Sequence, residues 1–184
     1  MSSPVRFDFG GRWSLDLTWT VRYRAVAPTE LLQRPRDLCE WLVAAGLPAP
    51  RRCTPDQLAA AIALREAVYR TACAVIDGQR LAPADVRTIN RAATAPPPAP
   101  QLDGDGRPST ARITEAHRVQ VAMSMVARDA VAVLGAGDGR LRRCDGEWCS
   151  LLFYDDSRPG TRRWCSTSRC GNIVNTRAYR TRMR

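Results

Sequence analysis

The chain contains no lysine and only one histidine, His117, among its 184 residues. Every other basic side chain is an arginine; with the many alanines and prolines, this points to a GC-rich coding genome. No stretch approaches the roughly twenty apolar residues that span a bilayer, so a membrane helix is excluded. The opening residues, MSSPVRFDFGG, carry no apolar signal core, and a cytosolic protein is expected. A glycine-rich phosphate loop and a nucleophile elbow are both missing. His117 has no evident partner and reads as a surface-helix residue, so no catalytic residue is assigned and no enzyme is expected. The seven cysteines, an odd number, suit a reducing compartment better than a disulfide framework.

Four of those cysteines lie within the last stretch, Leu141 to Arg184, as two pairs. Cys144 and Cys149 have four residues between them, as do Cys165 and Cys170, and fifteen residues separate the pairs. Two close pairs separated by a hairpin's length of chain bring four thiolates to one tetrahedral Zn²⁺. Such a set leaves no open coordination position, so one structural Zn²⁺ per chain is expected. Some forty residues bury too little apolar surface to fold without such help. Asp145 and Gly146 suit a tight turn between the first two ligands. Ser150 to Tyr154 reads as a strand, Asp155 to Gly160 as a turn, and Thr161 to Trp164 as the returning strand. Ser166, Thr167 or Ser168 then caps a helix running to about Arg182, which gives a treble-clef-like arrangement.

The charge is concentrated in the same place. From Arg140 to the end, eleven arginines face four acids, a balance of +7 that four thiolates and one Zn²⁺ lower to +5. Residues 1–139 carry seventeen arginines and fourteen acids, only +3. From Arg158 onward there are eight arginines and no acid. A basic helix leaving a small zinc module is a means of engaging nucleic-acid phosphates. DNA is the expected partner, with RNA, an acidic protein or a merely solvated basic tail as alternatives.

WCSTSRCGN followed by an arginine-rich helix resembles the CGNR-type zinc finger. Cys144, Cys149, Trp164, Cys165, Ser166, Cys170, Gly171 and Asn172 match that family's pattern. Ile173 stands where the family has arginine, and Asn175 where lysine is usual. The charge and the helical spacing make Arg162, Arg163, Arg169, Asn172, Ile173, Arg177, Arg180 and Arg184 the candidate nucleic-acid contacts. On a helix, Arg177, Arg180 and Arg184 fall within about 40° of Ile173, so Ile173 interrupts an arginine stripe.

Earlier in the chain, Val5 to Val21 reads as a hairpin turned at Gly10 and Gly11. Trp13, Leu15, Leu17, Trp19 and Val21 alternate with polar residues. The polar face, with Asp16 and Thr20, is either a pocket lining or a solvated or helix-facing sheet surface. Pro35 to Ala45 reads as a helix, in which Cys39 is a small core residue. A long helix runs from Thr54-Pro55 to about Ile76, with Cys73 in the core; Cys53 lies in the loop before it. A further helix covers Pro83 to Ala93. Ala95 to Pro100 is a stiff extended connector, Gln101 to Thr110 a short hairpin, and Thr114 to Leu134 the second long helix. Gly135 to Gly139 is a flexible boundary.

SLDLTWT, RPRDLCEWLVAAGL and ALREAVY resemble the ABATE domain, an α+β unit that precedes CGNR fingers in stress-related bacterial transcription regulators. Asn is usual in that domain where Trp19 stands. The expected fold class is therefore α+β. A mainly helical N-terminal domain with a small antiparallel sheet, 1–138, precedes a treble-clef-like Cys₄ zinc finger, 139–184. The resemblance implies a sensing or assembly role for the first domain, with Asp16, Thr20 and Arg65 facing one interior as a ligand pocket for a small effector. The functional expectation is a DNA-binding transcription regulator; the alternatives are a zinc-thiolate redox switch and an RNA- or protein-binding module.

Overall fold

A computed structural model describes residues 7–166 together with Cys170 and Gly171. Five α-helices and three two-stranded antiparallel ribbons make up the described residues. The helices are α1 Trp13–Thr18, α2 Pro35–Ala44, α3 Pro55–Ile76, α4 Pro83–Ala92 and α5 Arg118–Gly135. The strands are β1 Val21–Arg22, β2 Thr29–Glu30, β3 Pro100–Leu102, β4 Pro108–Thr110, β5 Leu141–Arg143 and β6 Leu152–Tyr154. A 3-10 turn, Glu115–His117, leads into α5 and places His117 at the surface beside Thr114. No helix among the described residues is long and apolar enough to cross a membrane.

Local chemistry sets the ends of the long helix. The Gln57 backbone N–H donates to Thr54 Oγ1 at 3.2 Å, and the Thr54 N–H donates to Gln57 Oε1 at 2.9 Å. This reciprocal cap, with Pro55 in the first turn, starts α3 where the sequence places it. Leu58, Leu64 and Val68 of α3 then meet Leu38, Trp41 and Leu42 of α2, with Val119, Val126 and Ala130 of α5. Trp41 is wholly buried at the centre of this core. The Asp-Gly turn places β3 against β4 as the composition implies, with Gln101 opposite Ser109.

The hairpin expected over Val5 to Val21 is not formed. Residues Trp13–Thr18 are helical instead, and only Val21 and Arg22 pair as a strand, with β2. Alternation marks a strand when one face is wet, but here Ser14, Leu15, Asp16, Leu17 and Thr18 are all buried. The polar members find partners at short range and from α5. Ser14 donates its backbone N–H and its hydroxyl to Asp129 at 2.9 and 2.6 Å, which caps α1 from a distance. Thr18 Oγ1 donates to the Leu15 carbonyl at 2.6 Å, and Asp16 accepts the Gly10 N–H at 2.5 Å.

Desolvation is the largest influence on Asp16, and the nearby Asp129 charge adds to it. Against the backbone N–H groups of Gly10, Gly11 and Arg12, these raise its pKa from 3.8 to about 7. The folded chain therefore holds a proton that the unfolded chain releases above about pH 4, and stability falls as pH rises from there to about pH 7. The shift corresponds to a loss on the order of 4 kcal/mol across that window. Asp16→Asn keeps an acceptor for Gly10 and removes the buried charge. Thermal denaturation at pH 5 and pH 8 is expected to show a marked drop in wild-type Tm and a flat response in the variant. Equal slopes in the two proteins would assign the pH dependence to other groups.

Candidate metal centre and basic surface

The hairpin carrying the cysteines differs from the expected one. β6 pairs with β5, which precedes Cys144, in the register Leu141 opposite Tyr154 and Arg143 opposite Leu152. Thr161 to Trp164 forms no strand; it meets the first knuckle through the Asp145 N–H, which donates to the Arg163 carbonyl at 3.0 Å, and through the Arg163–Asp145 side-chain pair. The apolar run Leu151–Phe153 needs a partner on each side, and Leu141 supplies one from upstream. The turn 155–160 is organised by Asp155, which is buried and accepts the Ser157 hydroxyl at 2.5 Å and the Ser157 and Arg162 N–H groups at 3.0 and 2.7 Å. Those bonds, the Ser157 hydroxyl's first, hold its carboxyl below the usual carboxylate range.

At the end of this hairpin the four cysteines converge. The Sγ atoms of Cys144, Cys149, Cys165 and Cys170 all lie within 4.8 Å of one another. Cys165 Sγ is 3.8 Å from both Cys149 Sγ and Cys170 Sγ. A tetrahedron with Zn–S bonds of about 2.3 Å has edges of about 3.8 Å, so the donor set fits that ion. All four cysteines are free of disulfides. The knuckle closes through the Cys149 N–H to the Gly146 carbonyl at 2.8 Å, and the Cys165 N–H donates to Cys144 Sγ at 3.4 Å. Gly146 sits in a crowded place: a Cβ there would stand 3.0 Å from the Cys149 Cβ and 3.4 Å from the Cys170 sulfur.

The electrostatics of the cluster are those of a site built for a cation. Hydrogen bonds from Cys149 and Cys165 hold Cys144 well below the ordinary thiol range. Hydrogen bonding to Cys144 and Cys149, then burial, pushes Cys165 far up. Burial, then the charges of its neighbours, pushes Cys170 up to about 12. One sulfur ionises readily and makes the others harder to ionise, a conflict that a dication at the centre resolves.

The finger is not a separate bead. Trp19 packs with Cys144, Leu151, Phe153, Cys165 and Cys170, and its indole N–H donates to the Leu152 carbonyl at 2.7 Å. Gly10 makes room for it: a Cβ there would lie 2.8 Å from the indole ring and 3.3 Å from Asp16 Oδ1. Leu15, Ala72 and Val133 form a second shared core with Leu141 and Leu152. The Arg24 N–H donates to Ser150 Oγ at 2.9 Å.

The arginines expected to touch nucleic acid divide into three groups. Arg162 is engaged within the finger: it donates to the Trp164 and Cys165 carbonyls at 3.0 and 2.5 Å, and lies 5.0 Å over the Phe153 ring. Arg163 is exposed, pairs with Asp145 at 2.8 Å, and lies over Trp164. Arg169, Asn172, Ile173, Arg177, Arg180 and Arg184, with the helix expected to reach Arg182, lie outside the described residues. Arg142 and Arg143, not named from the sequence, line a cavity of about 310 Å³ with Arg162, Arg163 and Asp145; Arg142 also donates to the Gly160 carbonyl at 2.6 Å, and Arg143 pairs with Asp77 at 3.1 Å. Their position next to Cys144 was the available signal.

The expected ligand set is only partly brought together. Arg65 Nη1 donates to Thr20 Oγ1 at 3.0 Å, but the guanidinium is held bidentately by Glu30 at 2.7 Å and by Glu66 at 2.7 Å. Asp16 bonds to the Gly10 loop instead. Burial opposes the charge on Glu66, yet hydrogen bonds from Arg24 and Arg65 outweigh it and keep its carboxyl below the usual range. An apolar cavity of about 470 Å³ lies elsewhere, between α3, α4 and α5, lined by Ala63, Leu64, Ala92, Val119 and Met123, with Arg91 among its polar lining.

Residues 11–137 match the ABATE family, described as a putative stress-induced transcription regulator. Residues 140–183 match the CGNR zinc finger. No curated protein matches the chain.

Two outcomes test the site. Cys165→Ser, or chelator treatment, is expected to remove structure beyond about Arg140 while the helices of the N-terminal domain persist, as read by amide NMR. Trp19→Ala is expected to cost about 3–5 kcal/mol in denaturant unfolding and to speed metal loss to a chelator. Trp19→Phe, which keeps a ring but orphans the Leu152 carbonyl, should cost about 1–3 kcal/mol. Unchanged metal retention in Trp19→Ala would show that this ring does not support the finger.

Proposed function

This chain belongs to the ABATE family and carries a CGNR zinc finger, and from that premise we propose that it is a DNA-binding transcription regulator with a structural zinc centre. The architecture is that of a regulatory, metal-binding protein. The single observation that carries the finer reading is the four-sulfur cluster with the basic chain leaving it at Cys170. Cys144, Cys149, Cys165 and Cys170 hold one Zn²⁺, which supplies no reaction and fixes the second cysteine pair against the first. The arginine-rich run that follows is thereby anchored at its start, and anchoring lowers the entropy lost when it docks on a duplex.

On this reading Arg163, Arg169, Arg177, Arg180 and Arg184 meet phosphates, joined by Arg142 and Arg143 beside the first knuckle. On the same reading Asn172 and Ile173 meet base edges, Ile173 through a thymine methyl. Arg162 instead holds the knuckle, given its two carbonyl partners. The N-terminal domain is the sensing part. Its effector is better accommodated in the α3–α4–α5 cavity than at Asp16, Thr20 and Arg65, since Glu30 and Glu66 already satisfy Arg65.

Selection of bound sequences from random DNA, followed by titration at two salt concentrations, tests the reading. Arg177→Ala or Arg180→Ala is expected to weaken binding to all sequences and lower the salt slope by about 0.9 each. Ile173→Arg should tighten non-specific binding and steepen the slope by a similar amount. Affinity and slope indifferent to all three changes would send the search for a partner elsewhere.

A further inference from the structure

Three cysteines lie outside the metal centre, and two of them are neighbours in space. Cys39 is on α2 and Cys53 is in the loop just before the Thr54 cap of α3. Both are half-buried and free. They line one open cavity of about 440 Å³, together with Arg36, Glu40, Arg51 and Arg52. Burial, and then the hydrogen bond and charge of the facing Cys39, push the Cys53 thiol up.

We propose that Cys39 and Cys53 form a reversible thiol oxidation site, closing to a disulfide when a hydroperoxide enters this cavity. Two features favour it. Three arginines and one acid line the cavity, which is open to a small oxidant. Cys53, in the loop before α3, packs against the core and Cys39 is carried by α2, so two separate elements present their sulfurs to one cavity.

The chemistry balances with the peroxide as oxidant. The thiolate of Cys39 attacks the O–O bond, taking one oxygen as a sulfenic acid and releasing hydroxide, which gains a proton to become water. The Cys53 sulfur then attacks the sulfenic sulfur; the S–S bond forms, the S–O bond breaks, and the departing oxygen leaves as water with the Cys53 proton. Two thiols lose two electrons, and one hydrogen peroxide becomes two waters. The product staples α2 to the start of α3. On this proposal the pair is oxidised ahead of the four sulfurs of the metal centre.

Zinc-loaded, full-length protein treated with increasing hydrogen peroxide tests the assignment. Peptide mapping without reductant is expected to find a Cys39–Cys53 linked peptide while a metal indicator shows the zinc still bound. Dithiothreitol should reverse the link. Cys53→Ser should instead accumulate a dimedone-reactive sulfenic acid at Cys39, and Cys73→Ser should leave the link unchanged. Zinc release ahead of any link would overturn the proposal in favour of oxidation at the finger. So would stepwise oxidation of Cys39 and Cys53 to sulfinic acids with no linked peptide, which would show that the two sulfurs cannot meet. Neither result touches the DNA-binding reading, which is measured separately.

Discussion

Four sulfurs within a few ångströms of each other cannot all carry charge in an apolar setting unless a cation sits among them. That constraint governs the cysteine-bearing segment, roughly the last quarter of the chain. Leu151, Phe153 and the cysteines form too small a cluster to hold a fold by hydrophobic burial alone, and Asp155 and Arg162 spend their hydrogen bonds on the turn and the second knuckle. The polar groups shape the path of the chain; a cation held by the four sulfurs would make that path cohere. A site of this kind is closed to substrate because every donor is already committed, which is why its chemistry is architectural.

The second constraint is steric and sits on the other side of the same cluster. Trp19 occupies the space between α1 and the finger, Gly10 is small because Trp19 is large, and Asp16 is buried because the Gly10 loop folds over it. Three residues of unlike chemistry are thus linked by one packing problem. The ring and its N–H bond fasten the finger, while the carboxyl raised by burial loosens the same corner as pH rises.

What could be read from the sequence was what short-range chemistry decides. The cysteine spacing, the Thr54-Pro55 cap, the Asp-Gly hairpin and the ends of α2, α3 and α4 all follow from residues close to one another. What escaped depends on distant partners. Trp13–Thr18 alternates like a strand, but Asp129, more than a hundred residues later, caps it as a helix. Leu152–Tyr154 was legible as a strand, but its partner Leu141–Arg143 lies upstream of the first ligand, where no local signal marks it. Arg65 looked available to a ligand because nothing nearby in sequence announces Glu30. The proximity of Cys39 to Cys53 belongs to the same class, since a helix and a loop bring them together.

α3 has a mechanical character that its sequence alone does not suggest. Its 22 residues make a rod about 33 Å long, uninterrupted by proline beyond the first turn or by glycine. One end begins at the thiol-bearing loop, and the cap at the other, Asp77, pairs with Arg143 of the finger at 3.1 Å. Rods transmit tilt rather than strain. A rotation of about 2° at the first end displaces the other by roughly 1 Å, a distance comparable to the tolerance of a hydrogen bond. A single helix thus spans the distance from the thiol-bearing loop to the first strand of the finger.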